Sequence, residues 1–228
     1  MNQEMNIQSL KKTAISRVFA VYLVMGLAFF LPAGTLRYWE AWAYILTILI
    51  PMMIFGVYMF RHDPKFLERR MRTREKRKEQ RLIIKLGSLP FLLAYLMPGF
   101  DRRFGWSDIS PAVTSAGLTL VLIGYLMTLY VFLTNSWASR VVEVEKEQKV
   151  ITTGPYARVR HPMYSSIIIF YGATPVALGS WWALIPALLI IPVLIVRILD
   201  EEKELSQNLA GYKEYAQKVR RRLIPGVW

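Results

Sequence analysis

Five long stretches of this chain carry almost no charge, and that limits the folds open to it. Residues 18–36 hold no charged side chain at all, and in residues 39–60 the one charge is Glu40, near the start. Residues 82–100 are interrupted only by Lys85. Residues 111–133 are uncharged, and so are the 34 residues of 163–196. A helix needs roughly 20 apolar residues to cross a bilayer core, so the first four blocks are predicted spans. The fifth exceeds one crossing and divides best at Gly179-Ser180, giving a hairpin of two short helices. The first block reads as a retained helix: its apolar stretch outruns a signal-peptide core, and the sequence at 31–37 makes a poor cleavage site. So many apolar blocks in 228 residues leave too little polar surface for a soluble helical protein. The expected fold is all-α: a polytopic helical membrane protein with about six hydrophobic segments, the last two a short helical hairpin. Two parts are expected, 1–133 with the transmembrane helices and a basic loop at 61–81, and 134–228 as a C-terminal core.

Charge is then read by position. Lys and Arg number 29 against 16 Asp and Glu, a net +13. Such a balance suits a nucleic-acid binder, but the mean hydropathy of +0.29 does not. With both termini in the cytoplasm and six crossings, 25 of the basic residues fall on the inner side and three, Arg37, Arg102 and Arg103, on the outer. That is a strong positive-inside bias. The same topology gathers Trp39, Trp42, Trp106, Trp181 and Trp182 near the outer face, where an aromatic belt lies. The basic run at 61–81 is therefore explained by topology and by contact with anionic lipid headgroups. It has no interleaved aromatics, and no nucleic-acid partner is expected. With zero cysteines, disulfides and cysteine nucleophiles are excluded, and no metal site is expected.

Two inner segments hold the unusual polar residues. In residues 148–164, Gly154-Pro155 marks a turn and Pro162 a helix start. The free N–H groups of that helix would face the membrane boundary, with Arg160 and His161 as added donors for an anion and Tyr156 and Tyr164 able to flank a flat ring. A basic, Pro-capped helix start with interfacial tyrosines explains the same residues equally well. In residues 197–204, placed just past the end of the last apolar helix, Arg197 and Glu201 share a face. A modest surface ion pair accounts for them, although four acids in five residues are unusual at a membrane face.

Taken together the two segments say more. Gly-Pro-Tyr-x-x-x-Arg-His-Pro-x-Tyr at 154–164, an apolar hairpin, then Arg-x-x-x-Glu-Glu at 197–202 resembles the isoprenylcysteine carboxyl methyltransferase family, related to phospholipid N-methyltransferases. The tail also fits, with Tyr212, Tyr215, Val219 and a closing Ile224-Pro225, so the resemblance covers residues 135–228. It implies a methyltransferase core that holds S-adenosylmethionine in a cytosol-facing pocket. The cofactor would lie against Gln148, Lys149, Val150, Ile151, Tyr156, Arg160, the turn His161, Pro162, Met163 and Tyr164, and Glu201. Glu201 would take its ammonium, His161 and the helix start its carboxylate, and Tyr156 or Tyr164 its adenine. Arg197 matches the family's substrate-side arginine, and Glu201 or Glu202 would serve as base if the acceptor is an amine or thiol. Gln148 stands where eukaryotic members have His, and Leu209 where Gly is usual. The implied partners are the bilayer and a lipophilic small-molecule or lipidated acceptor. Carboxyl O-methylation is the foremost reaction, with phospholipid or thiol methylation the alternative. Two rival classes are an NADPH-dependent enzyme like the sterol reductases, which share a similar His-Pro-x-Tyr region, and a non-catalytic membrane scaffold.

Overall fold

A computed structural model describes residues 7–73, 75, 77–224, 226 and 228. Arg74 and Lys76 of the basic run and Pro225 of the closing pair lie outside the described residues. Among the described residues the regular structure is helical: α1 (Ile7–Ala33), α2 (Trp39–His62), α3 (Pro64–Met71), α4 (Lys78–Phe104), α5 (Pro111–Thr134), α6 (Pro162–Ala177), α7 (Leu184–Leu188), α8 (Ile190–Asn208) and α9 (Tyr212–Lys218), with a single 3-10 turn at Gly154–Ala157. Helices α1, α2, α4 and α5 are long and apolar enough to cross a membrane. The chain is an integral membrane protein. Its outward faces carry Phe19, Val24, Ile54 and Leu86, each more than 60% exposed, which suits lipid and not water.

The helix starts follow from local chemistry. Proline opens α3, α5 and α6, where its missing N–H costs nothing. Asp63 and Ser110 cap the first two, accepting from Phe66 N at 2.9 Å and Val113 N at 3.4 Å. The structure therefore places a short helix, α3, inside what reads as a basic loop. The hairpin turns at Gly179, where φ is +73°, but its second arm is not one short helix. The helical path breaks after α7, and α8 restarts at Ile190. Pro192, in the first turn of α8, has no N–H to bond back to residue 188, which accounts for the break. Helix α8 then runs on through the acidic residues, so Arg197, Glu201 and Glu202 lie within it and not beyond its end.

Helices α5 and α6 pack backbone to backbone. A Cβ at Gly117 would sit 2.7 Å from Ala177 N, and one at Gly124 2.8 Å from Phe170 N, so glycine is what permits the approach. The main core joins Phe29, Tyr38, Tyr44, Val121 and Leu178. Within it the Tyr44 hydroxyl meets Thr174 Oγ1 at 2.8 Å and the Tyr95 hydroxyl at 3.1 Å. The tryptophan-bearing end is closed by Asp101, only 1% exposed. Asp101 accepts from Ser107 N and Ser107 Oγ, each at 2.7 Å, and from Ser180 Oγ. Ser107 Oγ in turn accepts from Trp181 N at 3.0 Å. The five tryptophans are 45–51% exposed, as side chains at a lipid–water boundary would be.

Candidate active site

At the opposite, basic end, α5 stops at Asn135 and the chain crosses residues 135–153 without regular structure. Helix α3 holds this strip by charge. Arg69 Nε lies 3.0 Å from Glu145, and Arg72 Nη1 lies 2.6 Å from Glu143 and 2.8 Å from Glu145. The Arg69 guanidinium also sits 4.3 Å from the Trp137 ring centre. Burial works to raise the Glu145 carboxyl, but the Arg69 and Arg72 cations outweigh it and hold it below the usual range. Glu75, 8% exposed, accepts from Val142 N at 3.1 Å. The basic run thus has a structural task beyond topology: it fastens the strip that carries Gln148 to Ile151.

The turn at Gly154 needs glycine on two counts. Its φ is +58°, and an added Cβ would lie 3.0 Å from Thr134 Cγ2. Tyr156 follows, with Asn135 Nδ2 donating to its hydroxyl at 2.8 Å. Burial pushes the Tyr156 phenol up to about 12 despite that bond. The Tyr215 hydroxyl donates to Tyr156 O at 2.8 Å, tying α9 to the turn. The tail beyond α9 pairs with the motif, since Arg160 N and His161 N donate to Arg221 O and Arg222 O, both at 2.9 Å.

The two carboxylates of the Glu-Glu pair have separate fates. Glu202 receives Arg160 Nε at 2.7 Å, Arg222 Nε at 2.9 Å and His161 Nε2 at 3.1 Å. Burial raises its pKa, yet the bonds from His161, Arg222 and Arg160 prevail and hold it at about 2. Glu201 Oε2 instead accepts from the Tyr164 hydroxyl at 2.7 Å, and Arg197 Nε donates to the same hydroxyl at 2.9 Å. The phenol stands between Arg197 and Glu201, in place of the surface ion pair their spacing suggests. Glu201 Oε1 has no hydrogen-bond partner among the described residues.

These groups border one cavity of about 690 Å³. Gln148, Lys149, Val150, Ile151, Tyr156, Arg160, His161, Met163, Tyr164, Arg197 and Glu201 all line it. Pro162 and Glu202 do not: the first is buried as the opening residue of α6, and the second stands behind the wall among its three cations. The structure adds Arg70, Arg140 and Tyr212, and an apolar part lined by Ile83 and Phe91 of α4, Tyr171 of α6 and Val193 of α8. The Tyr212 hydroxyl is buried on this wall with no partner among the described residues. A buried hydroxyl left this way suits a ligand's hydrogen bond. Among the described residues no cluster of His, Cys, Asp or Glu is arranged to hold a metal ion.

Residues 113–211 match the family model described as phospholipid methyltransferase. The matched stretch runs from the first turn of α5 to Gly211, just before α9, and so contains the strip, the 154–164 motif and the Arg-x-x-x-Glu-Glu segment. The chain is also 30% identical over 112 residues to protein-S-isoprenylcysteine O-methyltransferase B of Arabidopsis thaliana. That match takes in 47% of this chain and 57% of the relative, so the chain spans little more than half of that protein's length. Among solved structures, the eukaryotic intramembrane Ras methyltransferase (isoprenylcysteine carboxyl methyltransferase) is 17% identical, with a TM-score of 0.49 over 94% of this chain and 86% of that one.

Proposed function

We propose that this chain is a membrane methyltransferase that uses S-adenosylmethionine and methylates a carboxylate oxygen on a lipophilic acceptor of the isoprenylcysteine type. The observation that carries this reading is the Arg197–Tyr164–Glu201 arrangement on the wall of a cavity with one polar and one apolar part. S-Adenosylmethionine supplies a methyl group on a sulfonium centre, open to in-line displacement. Glu201 Oε1 holds the cofactor's ammonium, the Tyr212 hydroxyl meets a polar group of its nucleoside, and Tyr156 flanks the adenine. His161 gives Nε2 to Glu202, so Lys149 and the start of α6 are left to hold the cofactor's carboxylate. Arg197 orients the acceptor, and Phe91, Tyr171 and Val193 take its hydrocarbon part. The basic end of the helices faces the cytoplasm.

A carboxylate acceptor fits the available groups better than an amine or a thiol. It is already ionised at neutral pH, and removing it from water raises its reactivity without a base. An amine or thiol needs a proton acceptor near the reacting atoms. Glu202, at about 2 and behind the wall, is too weak a base and is misplaced for that work, and Glu201 is taken up by the cofactor's ammonium and the Tyr164 hydroxyl.

Purified protein in detergent is incubated with labelled S-adenosylmethionine and, separately, with NADPH. Retention of the first alone, with label passing to N-acetyl-S-farnesylcysteine, is the expected result. Retention of NADPH alone points to a reductase, and retention of neither to a scaffold; either overturns the reading.

A further inference from the structure

Four guanidinium groups line the cavity: Arg70 from α3, Arg140 from the strip, Arg160 from the motif and Arg197 from α8. Among the described residues, Arg160 is the member of this set held by a carboxylate, Glu202 at 2.7 Å. Arg70 and Arg197 are held by neutral groups. Arg70 Nη1 donates to Ser139 O at 3.0 Å and Arg197 Nη2 to Arg140 O at 3.2 Å. Side chains from two helices far apart in sequence thus end on consecutive carbonyls of one strip, and Arg140 grows from that same strip. Two aromatic contacts fix the heads: Arg70 lies 4.5 Å from the Phe132 ring centre, and Arg197 Nε is 2.9 Å from the Tyr164 hydroxyl.

The arginines of α3 and its C-cap are therefore divided. Arg69 and Arg72 find Glu143 and Glu145 and hold the strip, while Arg70 turns to the cavity. Among the described residues, the nearby carboxylates bond other groups and not Arg70, Arg140 or Arg197. Glu75 accepts from Arg77 N and Val142 N, Glu143 is paired with Arg72, and Glu201 accepts from Tyr164. Burial, and then the neighbouring Arg140 charge, push the Arg70 guanidinium down to about 10, the sign of a cation in need of an anion. Guanidiniums with no carboxylate bonded to them, beside an apolar wall, suit an oxyanion carried on a hydrocarbon chain, and the nearby Glu201 and Glu75 charges favour Arg197 as a cation.

We propose that Arg70 and Arg140 act with Arg197 as the acceptor-recognition set, binding the oxyanion of a lipophilic acceptor, carboxylate or phosphate, and rejecting neutral lipids. The word acceptor rests on the methyltransferase reading; the anion subsite does not. Full-length protein in detergent is titrated with N-acetyl-S-farnesylcysteine, its methyl ester and farnesyl phosphate, read by tryptophan fluorescence, since Trp137 lines the cavity. Inorganic phosphate is titrated in parallel. At least one of the two lipid anions binds about tenfold or more tighter than the ester, and which one binds tighter identifies the headgroup. Inorganic phosphate, lacking the apolar tail, competes only weakly. Arg70→Gln and Arg140→Gln each remove most of that preference and raise the acceptor KM, while S-adenosylmethionine affinity stays within about twofold. Arg140 is exposed, so its variant keeps the test open if Arg70→Gln does not fold. Equal binding of anions and ester overturns the proposal, as does an unchanged preference in the folded variants. So does a parallel fall in cofactor affinity, which would make the arginines mere supports of the strip. Preference for the anion in a protein that binds no S-adenosylmethionine keeps the subsite and overturns the methyltransferase reading instead.

Discussion

Each end of the helix bundle holds a cluster of buried polar groups, and the two clusters differ in effect, although the tryptophan end also buries Glu40 Oε2, away from the cavity, with no partner among the described residues. At the tryptophan end Asp101 takes three donors, Ser107 N, Ser107 Oγ and Ser180 Oγ, and the cluster is closed. At the basic end Glu202 is closed in the same manner by Arg160, His161 and Arg222. One residue before it, however, Glu201 keeps an oxygen free, the Tyr212 hydroxyl has no partner among the described residues, and Arg70, Arg140 and Arg197 line the cavity with no carboxylate bonded to them among those residues. Buried polar groups that are satisfied hold a structure together. Those left partly unsatisfied on a cavity wall mark where a ligand completes the set.

The comparison breaks first if the closed cluster is not structural. Asp101→Ala strands the half-buried Ser107 and buried Ser180 donors and should cost roughly 2–4 kcal/mol, read by thermal unfolding in detergent, while the folded fraction binds cofactor as before. A stable variant would remove the contrast between the ends. A smaller effect is expected at Glu202. Glu202→Gln weakens three charge-assisted bonds and should cost about 1–3 kcal/mol at neutral pH. Because the folded carboxyl lies at about 2, below its ordinary 4.5, its stabilisation is fully present above 4.5 and is lost as pH falls toward 2. The variant should lack that acid-side loss. The same acid sensitivity in both proteins would show that Glu202 is not the hub described.

Sequence and structure agree where one physical signal dominates. The uncharged runs mark α1, α2, α4 and α5, because burial in lipid forbids charge over a whole span. The signal fails at α3, whose cap Asp63 and opening Pro64 are legible but are hidden by a run of charge. It fails again along α8, which outlasts its apolar stretch because Glu, Lys and Leu favour helix as strongly in water as in lipid. Of the site, the strip at 148–151, Tyr156, Arg160, His161, Met163, Tyr164, Arg197 and Glu201 were readable from spacing and resemblance, and they meet at one cavity. Arg70 and Arg140 were not. Arg70 sits among arginines that look alike in sequence, and what separates it from Arg69 and Arg72 is the distant pair Glu143 and Glu145. Sequence likewise left the role of base open between Glu201 and Glu202. Their side chains leave α8 in different directions, one to the Tyr164 hydroxyl on the cavity wall and one to the three cations behind it.

Calorimetric titration of S-adenosylmethionine into wild-type protein and Glu201→Gln tests the central claim most directly. The account predicts that wild type binds, and that the variant loses about a hundredfold or more in affinity with its melting temperature little changed. A folded Glu201→Gln that binds the cofactor as tightly as wild type would contradict it.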